Sequence, residues 1–299
     1  MKTTLYLVFI LYTCPVLSQR ADSLAVALQV DSLLQISQTL TAQRDFAKAL
    51  EVDAVAERLA LEKFGRESEA YGKCCFGHGM TFYAKGDYME AEKWLLESLE
   101  IREKVLGREH RDFANSLNYL GNTYIYLGNS KKAEQYYIET KNIRERILGK
   151  EHPDYAGSLQ NLALVYSHLD NYDKALPLLL EAKSILEKKI GKEDPYYAGV
   201  LTVLGVLYRQ MGLYNKAEPL FLEAKSIQEK KVGKDNPVYC GSLINLAGMY
   251  LERGGNYDNA ESLLLEAKVI FEVRLNNRTH PLYLNGLTVL ANLYTEMGN

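Results

Sequence analysis

The side chains able to do chemistry are few, and their spacing argues against a reaction centre. Cys75 and His78 stand three residues apart, which places them on one side of a helix. A thiol and an imidazole at hydrogen-bond reach could make an activated nucleophile. Helix neighbours, however, point alongside one another, and no third group that would orient the base is evident. His110, His152 and His280 occupy equivalent places in three linkers, so each reads as a structural device that caps a helix or packs beside it. His168 stands alone. No glycine-rich phosphate loop, metal-ligand spacing or nucleophile elbow is present. The sequence therefore predicts a non-enzymatic chain with no catalytic residue, cofactor or metal.

The framework of the chain is visible as a repeat. The segment Leu148-Gly149-Lys150-Glu151-His152-Pro153-Asp154-Tyr155 returns around Gly191 and again around Gly233, at a constant interval of 42 residues. Gly65 and Gly107 extend the series, and so do Ala49, Ala91, Ala133, Ala175 and Ala217. Ala260 arrives one residue late because of Gly254-Gly255, and a second insertion lies at Asn276-Asn277-Arg278. Six complete copies are expected from about Asp31 to Asn277, followed by half of a seventh. A period of this size is a signature of a solenoid, in which each copy buries its apolar face only against a neighbour.

Each copy carries two helical stripes. Tyr155, Leu159, Leu162, Ala163 and Tyr166 lie on one side of a first helix, and Ala175, Leu179, Ala182 and Leu186 on one side of a second. Asn171 is placed to cap the second helix, with Asp173 in its first turn. Gly191 ends that helix as a residue free to take positive φ. Asp194-Pro195 then opens the next first helix, a device repeated at His152-Pro153, Asn236-Pro237 and His280-Pro281. Pro177 and Pro219 fall inside second helices, where each removes a backbone hydrogen bond and a slight bend is expected.

The 299-residue chain has a formal charge of −3 and 47 % hydrophobic residues, the composition of a soluble folded protein and not of a nucleic-acid binder. Lys2 followed by an apolar run from Leu5 to Tyr12 reads as a secretory signal over residues 1–18, since a spanning helix needs about 20 apolar residues. Residues 19–30 are then a leader into a solenoid over 31–299, and the protein is expected outside the cytoplasm, periplasmic or extracellular, in a bacterium. Cys74, Cys75 and Cys240 are too few and odd in number for a disulfide framework; Cys75 and Cys240 are expected in the core.

Leu159-x-x-Leu162-Ala163-x-x-Tyr166 with Ala175, Leu179 and Ala182 resembles the tetratricopeptide repeat pattern. Leu201, Leu204, Gly205, Tyr208, Gly212, Ala217, Phe221 and Ala224 resemble it more closely still. The period and the Leu-Gly-Lys-Glu-His-Pro linker are similar to the 42-residue variety found in kinesin light chains and in many bacterial repeat proteins. The resemblance implies an all-α, right-handed superhelical solenoid of antiparallel helix pairs, whose first helices line a concave groove for extended peptides or a partner helix. It implies groove residues Phe76, Met80 and Tyr83 in the second repeat, and Asn118, Tyr119, Asn122 and Tyr126 in the third. In the fourth they are Gln160, Asn161, Leu164 and His168, with Arg209 in the fifth and Asn245 in the sixth. Asn161 and Asn245 stand where some relatives hold a peptide backbone through an amide that both donates and accepts.

Two readings of these positions stay open. Phe76, Met80 and Tyr83 are a docking surface or ordinary packing between repeats. Gly157, Gly199 and Gly241 stand where relatives that clamp an acidic C-terminus place a cation, or else they let helices approach closely. With few cations at these places, an acidic C-terminal ligand is not expected. The expected function is an exported scaffold binding protein or peptide segments. The alternative is the sensing arm of a longer protein whose caspase-like peptidase domain lies beyond Asn299. The first helix of the seventh repeat also offers a bare face for self-association.

Overall fold

The computed structural model describes the backbone of residues 2–298 and the side chains of residues 20–298. The expected signal over 1–18 lies outside the residues whose side chains are described. The helices are α1 (Lys2–Ala42), α2 (Phe46–Phe64), α3 (Glu69–Lys85), α4 (Tyr88–Leu106), α5 (Arg111–Tyr126), α6 (Ser130–Leu148) and α7 (Pro153–His168). They continue as α8 (Tyr172–Lys189), α9 (Pro195–Gln210), α10 (Tyr214–Lys231), α11 (Pro237–Arg253), α12 (Tyr257–Val269) and α13 (Pro281–Met297). A one-turn π-helix, Ile270–Arg274, extends α12 just before the second insertion.

Local chemistry explains where the helices stop and start. The repeated glycine after each second helix takes φ between 77° and 85° at Gly65, Gly107, Gly149, Gly191 and Gly233, a conformation that costs other residues their Cβ clearance. Asp170 fills the equivalent of Gly86, Gly128 and Gly212 at the turn inside the repeat, with φ 54°; its short polar side chain tolerates that region. The linker residues cap as expected. Asp194 Oδ1 accepts from the Tyr196 amide at 2.7 Å and Asn236 Oδ1 from the Val238 amide at 2.9 Å. In His110, His152 and His280 the ring Nδ1 does the same work at 3.0–3.1 Å. Asn171 is a correction: it occupies the cap position of α8, yet its side chain makes no capping bond. Pro177 and Pro219 lie within continuous helices.

Contacts gather the chain into two units, Met1–Ile147 and Leu148–Asn299. In the first, the seam between the first two helix pairs buries Val30, Ala56, Ala60, Tyr71, Cys74 and Cys75. A second cluster joins Phe113, Ala114, Leu117 and Ile143. In the second unit, Leu159, Ala182, Leu186, Tyr197, Val200 and Leu201 form one cluster, and Phe221, Tyr239, Leu243, Leu264 and Phe271 belong to another that reaches α13. At about 1.5–3 kcal/mol for each fully buried large apolar side chain, these seams are the main favourable term in folding.

Polar bonds add register to the seams. Tyrosine hydroxyls donate to glutamates of a neighbouring helix, Tyr71 to Glu97 at 2.9 Å and Tyr124 to Glu92 in the first unit. Tyr239 to Glu266 at 3.0 Å, Tyr250 to Glu218 at 2.9 Å and Tyr294 to Glu261 at 2.6 Å do so in the second. One second-helix position also reaches through to the following first helix. There Arg102 Nη1 donates to the Ser116 hydroxyl at 2.8 Å, and the Ser242 hydroxyl donates to Gln228 Oε1 at 2.6 Å. The equivalent pairs Ala60 with Cys74 and Leu186 with Val200 are apolar and lie in the core clusters.

Candidate functional site

In the first unit the expected groove residues come together around the first helices α1, α3 and α5. Phe76 meets Tyr119 edge to face at 5.3 Å between centroids, and Tyr83 meets Tyr119 and Tyr126 at 6.0 and 5.7 Å. Tyr126 stacks on Tyr88 at 4.6 Å and remains 59 % exposed. These geometries are the offset and T-shaped arrangements that ring quadrupoles favour. Burial, more than any neighbouring charge, raises the Tyr83 hydroxyl far above its usual pKa. Phe76, Tyr83 and Tyr119 thus pack repeat on repeat, while Tyr126 turns to solvent.

Beside this cluster a cleft of 270 Å³ opens between α1 and α3. Leu34, Phe76 and Met80 supply its apolar wall, and Gln35, Gln38, Thr41 and Thr81 its polar one, with Lys73 and Arg102 among its lining. Gly77 in its lining lets Leu34 and Asp53 come close to α3, because a methyl there would press to 2.9 Å from Leu34 Cδ2 and 3.3 Å from Asp53 Oδ1.

Not every expected side chain is available. Asn122 Oδ1 accepts from the Tyr137 hydroxyl at 2.6 Å and so belongs to the seam, and Asn118 is half-buried. In the second unit Gln160, Asn161 and Leu164 on α7 and Asn245 on α11 are half-buried, and His168 is exposed. The Gln160 Oε1 is a buried acceptor with no partner among the described residues. Arg209 is held 3.5 Å from Glu252. The glycine series divides: a methyl on Gly157 would overlap the Tyr196 hydroxyl, one on Gly241 would touch Leu282 at 3.6 Å, and one on Gly199 would meet nothing within 4 Å. Close approach thus accounts for Gly157 and not for Gly199.

Cys75 and His78 do not form a pair. His78 Nε2 lies 3.1 Å from Glu57 Oε2 and its ring stacks on Trp94 at 4.3 Å. Cys74, Cys75 and Cys240 are all fully buried, and burial pushes Cys74 up to about 12 and Cys240 up to about 11, the opposite of an activated thiol.

Sequence reasoning passed over two residues. Arg102 sits on a second helix, and only first helices were read as lining the groove. Asp53 is fully buried where later repeats carry Leu95, Tyr137, Leu179 and Phe221; its Oδ2 accepts from the Thr81 hydroxyl at 2.8 Å and its Oδ1 has no partner. Comparing the copies column by column exposes it as a charge in an apolar column.

Paired helices, glycine-ended second helices and a first-helix wall define the class, and the tetratricopeptide repeat pattern matches at residues 69–145, 112–188, 155–230 and 196–272. The chain belongs to the tetratricopeptide repeat family. Solved repeats of the kinesin light chain type are among the structures whose fold it shares. The Podosopora anserina kinesin light chain nearly identical TPR-like repeats are 21 % identical, with 69 % of this chain and 97 % of that one covered and a TM-score of 0.58. BtubC from P. vanneervenii is 23 % identical, with 80 % and 94 % covered and a TM-score of 0.59. A signal transduction ATPase with a tetratricopeptide repeat sensor from Pyrococcus horikoshii is 21 % identical, with 84 % of this chain and 38 % of that one covered and a TM-score of 0.59. Among curated proteins none matches the sequence.

Proposed function

We propose that the protein is an interaction scaffold whose first helices take up an extended segment of a partner protein. The observation that carries this reading is the cleft between α1 and α3, where apolar and amide-bearing side chains line one wall that the repeat leaves open. Apolar contacts would hold the segment's side chains, and the carboxamides of Gln35 and Gln38 would meet its backbone. Phe76→Ala with Met80→Ala is expected to abolish capture of a peptide segment while the chain keeps its helical circular dichroism. Unchanged binding refutes the reading.

Export is part of the same proposal and is supported by Lys2 and the apolar run behind it; amino-terminal sequencing of the mature chain is expected to begin at Gln19. A second reading, that these repeats are the sensing arm of a longer protein, is supported by the sensor of the P. horikoshii ATPase. Reading the gene past Asn299 separates the two. Self-association through α13 is supported by its exposed Leu284, and gel filtration tests it.

A further inference from the structure

One side of α1 is apolar and open. Leu24, Leu28 and Ile36 are 63, 61 and 48 % exposed, and Ser32 among them is exposed as well. Ser32 and Ile36 stand in a column that the first helices α3, α5, α9 and α11 bury. Their counterparts there are Cys74 and His78, Ser116 and Leu120, Val200 and Leu204, and Ser242 and Leu246, each at most 5 % exposed. In those repeats the preceding second helix packs over the column: Ala60 of α2 shares a core cluster with Cys74, and Leu186 of α8 with Val200.

The composition of α1 is that of a helix enclosed on both sides. Between Asp22 and Arg44 its only charged residue is Asp31, which Lys73 holds at 3.2 Å. The enclosed α9 likewise carries only Arg209. A solenoid end that faces water needs a polar outer face, and aliphatic side chains gathered on one open face mark an interface. This row is its own complement. Leu28, Ser32 and Ile36 follow at steps of four, so they read aliphatic, small, aliphatic in both directions. A two-fold axis at Ser32 lays Leu28 of one copy on Ile36 of the other, with the small side chains where two ridges of this spacing cross at about −50°. Gln29 and Gln35 flank the row and are exposed. A carboxamide can pair with its own copy, because it both donates and accepts. A free charge cannot, and Asp31 has Lys73 for a partner.

We propose that α1 is a self-association face: two copies of the chain meet antiparallel along Leu24, Leu28, Ser32 and Ile36, with Ser32 against its own mate. A second copy fits better than an unrelated helix, because only a copy is bound to present the same neutral row in reverse. It fits better than an anionic membrane surface, because no lysine or arginine stands between Arg20 and Arg44. The face belongs to the first unit and is separate from α13, and it does not depend on the groove reading. The pair then carries two clefts, one beside each α1.

Sedimentation equilibrium of the full chain over the micromolar range is expected to give twice the mass of one chain. L28K and I36K should each return the mass of one chain with the helical circular dichroism unchanged, since both side chains stand open to solvent. L284K on α13 should leave the pair intact, which separates this face from that one. S32C is expected to link two chains through the introduced thiols when oxygen oxidises them, and S262C on the exposed side of α12 is not. Cys74, Cys75 and Cys240 are buried and stay silent in that assay. A single-chain mass across the range, which leaves the face to a different partner, overturns the proposal. So does a pair that survives both L28K and I36K, one that L284K splits, or one in which S32C does not link.

Discussion

Asp53 shows how one residue can work against the fold that holds it. It is buried in an apolar column with one carboxyl oxygen unpartnered, and burial, ahead of the bonds from Ser37 and Thr81, raises its pKa. A raised folded-state value means that the favourable contribution is complete below the unfolded pKa and is lost as pH rises through the folded one. Asp53→Asn is therefore expected to stabilise the protein at pH 7, by about 1–3 kcal/mol for relieving a buried unsatisfied group, and to gain less at pH 4. Thermal melts at the two pH values check this; an equal shift at both refutes it. The buried thiols and tyrosines carry the same sign at the other end of the scale. Cys74, Cys240, Tyr124 and Tyr250 all have pKa values raised first by burial, to between about 11 and about 12. The contribution of these groups to stability should be level up to about pH 8.5, the ordinary thiol value, and fall steadily from there to pH 11. A melting temperature that stays constant to pH 11 contradicts it. Asp53 is legible in the sequence as a charge in an apolar column, but the burial cost of these groups is not, because it depends on what surrounds each of them.

At the scale of the element, the glycines of α7 and α9 separate two causes that look identical in sequence. Gly157→Ala should destabilise, since its methyl would enter the space of the Tyr196 hydroxyl. Gly199→Ala meets nothing, and should stabilise by roughly 0.5–1 kcal/mol through the lower backbone entropy of alanine in a helix. Urea titrations of both variants decide, and a stabilising Gly157→Ala would be the failure. Asp194→Ala removes the cap on the Tyr196 amide and should cost about 1 kcal/mol. Helix positions and most caps were legible because capping is a local rule applied again and again at fixed spacing. The silent Asn171 was not, since whether a side chain completes its bond depends on a rotamer that the repeat does not encode. The tyrosine–glutamate ties and Arg102 were missed for a related reason: they reach from one helix to another, and a pattern that repeats within each copy carries no mark of what meets across the seam.

Within each unit, packing runs between consecutive helices such as α3 with α4 and α9 with α10, and between next-but-one first helices such as α1 with α3 and α11 with α13. Stability is then close to a sum of repeat and nearest-neighbour terms, and damage should stay local. Gly157→Ala is expected to speed amide hydrogen exchange in α7 to α10 and to leave α1 to α4 unchanged; uniform acceleration along the chain would show a single cooperative block instead. The residues that meet at each seam also differ in kind from copy to copy: alanine with cysteine, arginine with serine, leucine with valine, glutamine with serine. The copies are thus not spare parts for one another. Moving the fourth repeat into the place of the second would set Leu186 where Arg102 now meets Ser116, and leave an orphaned hydroxyl against an aliphatic chain. Shuffled arrays cut from this sequence will join only where the two cut faces were mates to begin with, so the order of the copies is itself inherited information, as binding as the order of residues within one.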